Sequence, residues 1–227
     1  MAVAHDFASE SHTGTTGSAS EASFSWSHNP VGTPRGVIVF VMNLSTNANI
    51  VSSVTYDGTA VPEVSALGAG DAVGEPGIVN VFFLGTGVPT TDPATVVVNR
   101  TNNANILYAV CVTVTAGANT ETTGVVKLTG DGTLAEQSVD DGSPGTNSLR
   151  YAGGFSGLDS VPAAGANSTA LHSIDTGTVT AAVVRETTAG QGARSVGFSS
   201  GSTDDRAFTH FAVKELGGAR SFGVILG

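Results

Sequence analysis

With nineteen Asp and Glu against nine Lys and Arg, this 227-residue chain carries a net charge of −10, and its basic residues stand singly from Arg35 to Arg220. That excludes the basic stripe a nucleic-acid partner requires. Only 12% of residues are charged, well below the quarter of an average protein, and the single cysteine excludes an intrachain disulfide.

The first residues lack the basic start and apolar stretch of a signal peptide, and no window has the length of a membrane span. A soluble protein without membrane insertion is expected. Along the chain, short β-branched runs are broken about every ten residues by Gly, Asn, Asp, Ser or Pro, with no helical period. Ala22 to Ser27 alternates Ala22, Phe24 and Trp26 with Ser23, Ser25 and Ser27, the pattern of a strand with one buried face. The sole tryptophan is then a core anchor. Gly36 to Met42 is apolar on both faces and reads as a central strand. From Ile50 to Val64 an alternating run leads through Asp57-Gly58 into Thr59-Ala60-Val61, a hairpin with a two-residue turn.

Further strands are expected at Ile78 to Leu84, Thr95 to Asn99 and Ile106 to Val114. The last is a second two-faced apolar run, which makes Cys111 a small buried hydrophobe rather than a reactive thiol. Gly124 to Leu128, Leu149 to Ser156, Thr169 to Ile174, Thr178 to Val184, Ser195 to Ser199 and Ala207 to Glu215 complete the set. Gly68 to Gly77, Asn99 to Asn105 and Asp140 to Asn147 read as projecting loops. Neither a linker composition nor a fixed-period repeat is visible. The expectation is an all-β chain, a single jelly-roll-like antiparallel β-sandwich of about a dozen strands over residues 1–217. Residues 218–227 add an apolar strand that closes its own sheet or docks on a neighbouring subunit.

Candidate chemistry is thin. Gly197-Phe198-Ser199-Ser200-Gly201, followed by Asp204, Asp205 and His210, has the spacing of a nucleophile elbow, but an elbow needs a strand-to-helix turn and the following residues read as hairpin and strand. Asp140-Asp141 and Asp204-Asp205, with Asp131 and Asp175 in glycine-bearing turns, lack the spacing of a calcium loop, and turn aspartates ordinarily bond their own backbone. His5, His12, His28, His172 and His210 show no paired metal spacing. Tyr56, Tyr108 and Tyr151 sit within strand patterns, where packing rather than display as a sugar platform is expected. No catalytic or cofactor residue is assigned, the metal question stays open, and structural calcium is the one cofactor not set aside.

Ala22-Ser-Phe24-Ser-Trp26-Ser-His28, Gly36-Val-Ile-Val-Phe40-Val, Ile50-Val-Ser-Ser-Val54-Thr-Tyr56-Asp-Gly58-Thr-Ala60-Val and Val79-Asn-Val-Phe82-Phe-Leu84 resemble, in this order, a β-sandwich module common in phage virion proteins. The similar stretch continues through Pro93-Ala-Thr95-Val-Val-Val98 and Ala109-Val-Cys111-Val to Phe208-Thr-His210-Phe-Ala212-Val213-Lys214-Glu215-Leu216. Relatives of this kind occur in tailed-phage structural proteins and in bacterial surface proteins. The resemblance implies a non-enzymatic virion structural protein on the particle exterior, in capsid decoration or in the tail or its fibres. Its partners would be copies of itself, as a homo-oligomer, and other virion proteins. The alternative is a host-recognition or carbohydrate-binding adhesin that meets host surface glycans through the Gly68 to Gly77 and Asp140 to Asn147 loops.

Overall fold

Runs that are apolar on both faces must lie between two other layers, and runs that alternate need cover on one face only. A computed structural model describes residues 3–13, 22–44, 49–68, 77–101, 106–130, 132–142, 147–157, 160–177, 179–200 and 203–217. The first half of the chain forms β1 (Ala4–His12), β2 (Ser23–His28), β3 (Gly36–Asn43), β4 (Val51–Tyr56), β5 (Thr59–Val61), β6 (Glu63–Gly68), β7 (Ile78–Leu84), β8 (Ala94–Arg100) and β9 (Leu107–Thr115). The second half forms β10 (Thr120–Thr129), β11 (Gly132–Thr133), β12 (Glu136–Val139), β13 (Leu149–Ser156), β14 (Ala163–Ala164), β15 (Ser168–Asp175), β16 (Thr180–Glu186), β17 (Arg194–Ser199), β18 (Thr203–Asp204) and β19 (Arg206–Glu215). Among the described residues there is no helix, hence none long and apolar enough to cross a membrane.

The chain is all-β with antiparallel sheets packed face to face, as the sequence predicts, but the layers number four where a single sandwich has two. The first half supplies an outer sheet, β2-β8-β4-β5, and an inner sheet, β1-β9-β3-β7-β6. The second half supplies an inner sheet, β10-β19-β13-β16-β15, an outer sheet, β12-β17-β14, and the small ladder β11-β18. Val37, Val39, Val41 and Cys111 pack against Phe24, Tyr56, Val96 and Val98 in the first sandwich. Ala152, Val184, Phe208 and Ala212 pack against Val139, Val196 and Phe198 in the second. Between the two inner sheets lies the largest core, built on Ile38, Phe40, Met42, Val81, Val110, Tyr151, Phe155, Val183 and Phe211. This explains why β3, β7 and β13 are buried along their whole length.

The two halves repeat one strand order. With β1, β2, β3, β4, β6, β7, β8 and β9 matched in turn to β10, β12, β13, β14, β15, β16, β17 and β19, both inner sheets and both outer sheets read the same way; β5 has no counterpart. Register agrees. Ile38 lies between Phe83 and Val112, and its equivalent Tyr151 lies between Arg185 and Phe211. Phe40 is thereby equivalent to Gly153, and the two are in contact: a Cβ on Gly153 would stand 2.6 Å from Phe40 Cδ1. The absent side chain is the space that the ring fills.

At the β4–β5 hairpin, Asp57 and Gly58 take φ of 47° and 76°, the pair of left-handed residues of a two-residue hairpin turn. A bulge between Val51 and Ser53 lets Val51 and Val54 both face the core despite their odd spacing. Three longer strands that the cadence did not reveal, β1, β6 and β12, lie at sheet edges, and β1 and β12 are largely polar.

Candidate functional site

A continuous chain of hydrogen-bonded polar groups in the first sandwich starts at Trp26. An indole N–H is donor only, so Trp26 Nε1 donates to Ser9 Oγ at 2.8 Å and the Ser9 hydroxyl donates a hydrogen bond to His28 Nδ1 at 2.7 Å. His28 then carries its hydrogen on Nε2 and donates to Thr113 Oγ1 at 3.1 Å; Thr113 donates to Asp6 Oδ2 at 3.0 Å, while Asp6 Oδ1 accepts from Gly32 N at 2.6 Å. The imidazole is buried between Phe7 and Tyr56, and burial lowers its pKa to about 4. Such a group is a weak base at neutral pH, and each donor in the chain is already spent. The arrangement fastens β1 to β2 and β9. A second polar junction joins β1 to the other half: Tyr108 donates to the Glu10 carboxylate, His172 Nδ1 lies 3.5 Å from Glu10 Oε2, and His5 Nδ1 lies 3.3 Å from the Tyr151 hydroxyl.

The second sandwich holds a buried charge cluster. Arg150 projects from β13 with no exposed surface; Nε donates to Val139 O at 3.1 Å and Nη1 to Glu186 Oε2 at 3.1 Å and Gly190 O at 3.0 Å, with Gly192 O on Nη2. Asp141 stands 3.6 Å from Nη2 and accepts from Ser148 Oγ at 2.6 Å and Gly192 N at 3.1 Å. The remaining Glu186 oxygen, Oε1, faces Arg194 Nε as an ion pair. Two guanidiniums and two carboxylates therefore balance. Burying them is tolerable because each charge has an opposite partner and the inner pair has backbone partners as well.

Two depressions flank β17. One, of about 310 Å³ and mostly polar, is lined by Asn167, Glu186, Ala193, Arg194 and Ser195. The other, of about 470 Å³, is lined by Leu134, Glu136, Gly165, Phe198, Ser199 and Ser200 among others. Glu136 shapes the wall between them, accepting from Asn167 N at 2.8 Å, Asn167 Nδ2 at 2.9 Å and Ser168 Oγ at 2.8 Å.

Ser199 is the exposed last residue of β17, and the chain continues into β18 and β19, not a helix. His210 is buried in β19 with a pKa lowered to about 4 by burial, and no hydrogen bond joins it to Ser199 among the described residues. Asp140 and Asp175 bond the backbone N–H two residues on, Gly142 at 3.0 Å and Gly177 at 2.7 Å, as turn aspartates do. Asp205 is buried beside the start of β19; Asp131 lies outside the described residues. Among the described residues no three of His, Cys, Asp and Glu converge as metal ligands. Cys111 is fully buried, with its thiol pKa pushed well up, and Tyr56, Tyr108 and Tyr151 are packed. Trp26 is half-buried and stacked on Phe24. Of the projecting loops, residues 69–76, 102–105 and 143–146 lie outside the described residues, as do 218–227.

Arg150, Glu186 and Arg194 were not singled out by sequence. The available signal was a charge set in an otherwise apolar strand, Leu149-Arg150-Tyr151. Comparison with protein-family models, with curated proteins and with solved structures returns no match to this chain.

Proposed function

We propose that this chain is a non-enzymatic structural component on the exterior of a tailed-phage particle, built from two jelly-roll-like sandwiches and assembling as a homo-oligomer. The observation that carries the reading is the burial of both faces of both inner sheets. Almost all of the strand framework is committed to a four-layer scaffold, and both the Trp26–Ser9–His28 chain and the Arg150 cluster join one strand to another. The low-charge, hydroxyl-rich surface limits self-repulsion between copies, and the edge strands of the four sheets offer backbone groups for assembly. The virion assignment rests on the sequence resemblance.

Light scattering on the purified protein should give a mass of at least twice the 22.6 kDa of one chain, and antibody against it should label the head or tail of phage particles in electron micrographs. Deletion of residues 218–227 should lower that mass. A monomer in solution together with unlabelled particles overturns the reading. An unchanged mass after the deletion removes that segment from the subunit contact.

A further inference from the structure

A sheet edge carries unpaired backbone groups, and proteins keep most edges from pairing by bulges, charges or short length. Among the described residues the edges follow that rule with one exception. β1, β6, β10 and β15 are each broken by a bulge, and each bears a carboxylate: Glu10, Glu63, Glu121 and Asp175. β5 and β14 are three and two residues long, the β11–β18 ladder is two residues long, and β12 has four residues and starts on Glu136. β2 has none of these devices. Its six residues pair with β8 in an unbroken register, and no Asp, Glu, Lys or Arg occurs from Ala22 to Pro30. Arg100 N donates to Ala22 O at 3.0 Å, and on the other side of β8 Asp57 N donates to Thr95 O at 2.7 Å. Even-numbered residues of β8 therefore bond β2 and odd-numbered ones bond β4. By the same alternation Phe24, Trp26 and His28 spend their backbone groups on β8. The N–H and C=O of Ser23, Ser25 and Ser27 point out of the sheet edge, and their side chains are exposed.

We propose that this edge is a subunit contact: β2 pairs antiparallel with β2 of a second copy about a twofold axis at Ser25, joining two four-stranded outer sheets into one continuous sheet. The contact rests on the reading of the chain as a homo-oligomer and gives that assembly its surface. Self-complementarity selects a second copy over any other strand. A twofold contact needs a patch that matches itself, and in this register Ser25 meets the partner subunit's Ser25 while Ser23 meets the partner subunit's Ser27. Each such pair exchanges two backbone hydrogen bonds, because both members have outward groups. Hydroxyls meet hydroxyls on the outer face. On the inner face Phe24 lies opposite the partner subunit's Trp26, an aromatic cross-strand pair that covers the half-buried indole. A chain of net charge −10 repels its own copies, so an uncharged edge is where two of them approach at least cost. β12, the equivalent strand of the second half, is shorter and acidic, which restricts this contact to one per chain.

The test combines light scattering with amide hydrogen exchange on the full chain. Ser25→Pro removes an N–H that the β8 ladder does not use and blocks the edge. It should halve the mass of the parent oligomer while amides of β13 and β16 keep their protection. Ser25→Lys and Ser25→Glu each set like charges opposite one another at the axis and should also halve the mass, whereas an equal mixture of the two should recover it. That rescue separates a pairing defect from a folding defect and keeps the test decisive if the proline variant does not fold. Amides of Ser23 and Ser27 should exchange about tenfold or more faster in Ser25→Lys than in the parent, the loss of one net hydrogen bond each. An unchanged mass in the folded proline variant or in both charged variants, a mixture that stays at the halved mass, or serine amides that exchange equally fast in parent and variant overturns the β2 contact and leaves the homo-oligomer reading standing. A parent that is monomeric at every concentration overturns both, and antibody labelling of particles decides the virion assignment independently.

Discussion

Gly153 shows how one residue can set the spacing between layers. Its backbone is ordinary, yet the Phe40 ring occupies the place of its side chain. Gly153→Ala should therefore cost about 1–3 kcal/mol by overpacking, read as a fall in thermal midpoint of about 2–4 °C per kcal/mol for a chain of this size. A midpoint equal to that of the parent would show that the sheets part freely there. The histidines carry a second residue-scale expectation. His5, His28 and His210 each have a pKa lowered from 6.5 to about 4, burial being the largest cause. Between those values the unfolded chain binds protons that the folded chain refuses, so stability falls as pH drops from about 6.5 towards 4. Thermal midpoints at pH 7, 5.5 and 4.5 should decline in that order, and His28→Asn should flatten the slope. A flat profile in the parent contradicts the buried neutral imidazoles.

At the scale of the element, β1 is held at the sheet edge by side chains as much as by its ladder with β9. Ser9→Ala leaves the Trp26 indole N–H and His28 Nδ1 without partners, at about 1–3 kcal/mol, and should loosen β1 from β2. Because Trp26 is the sole tryptophan, a red-shifted emission would report that loosening directly, and an unshifted spectrum would mean that β1 docks by its backbone alone. Strands were legible in proportion to how strongly burial wrote itself into the pattern. β7 and β13 were expected at their observed boundaries because two-faced burial leaves long apolar or glycine-rich runs. β1 and β12 leave no such mark because an edge strand is half solvated and its sequence, such as Glu136-Gln137-Ser138-Val139, resembles a loop. The candidate site was illegible for a related reason: Glu186 and Arg194 belong to different strands separated by a turn, and nothing in their spacing announces that they meet.

For the whole molecule, the consequence of stacking is shared fate. The inner sheets bury each other through one core, so neither half keeps its hydrophobic face covered if the other opens. Amide signals from β8 in the first outer sheet and β17 in the second should be lost in a single coincident transition on heating, and separate midpoints would mean two independently stable sandwiches. The repeated strand order is invisible in sequence because the two halves fill equivalent positions with unlike residues: Phe40 answers Gly153, Cys111 answers His210, and Phe83 answers Arg185. What each position conserves is a direction, inward or outward, which many side chains satisfy. By itself, the sequence determined the all-β class, the central strands and the Asp57-Gly58 turn, because periodicity and left-handed backbone preference are local properties. Only the tertiary structure decided that the layers number four, that the halves repeat one order, and that Asp141, Arg150, Glu186 and Arg194 form one neutral cluster beside an open depression. Each of those depends on which distant strands pair, and pairing is fixed by how whole faces pack rather than by any segment's own pattern.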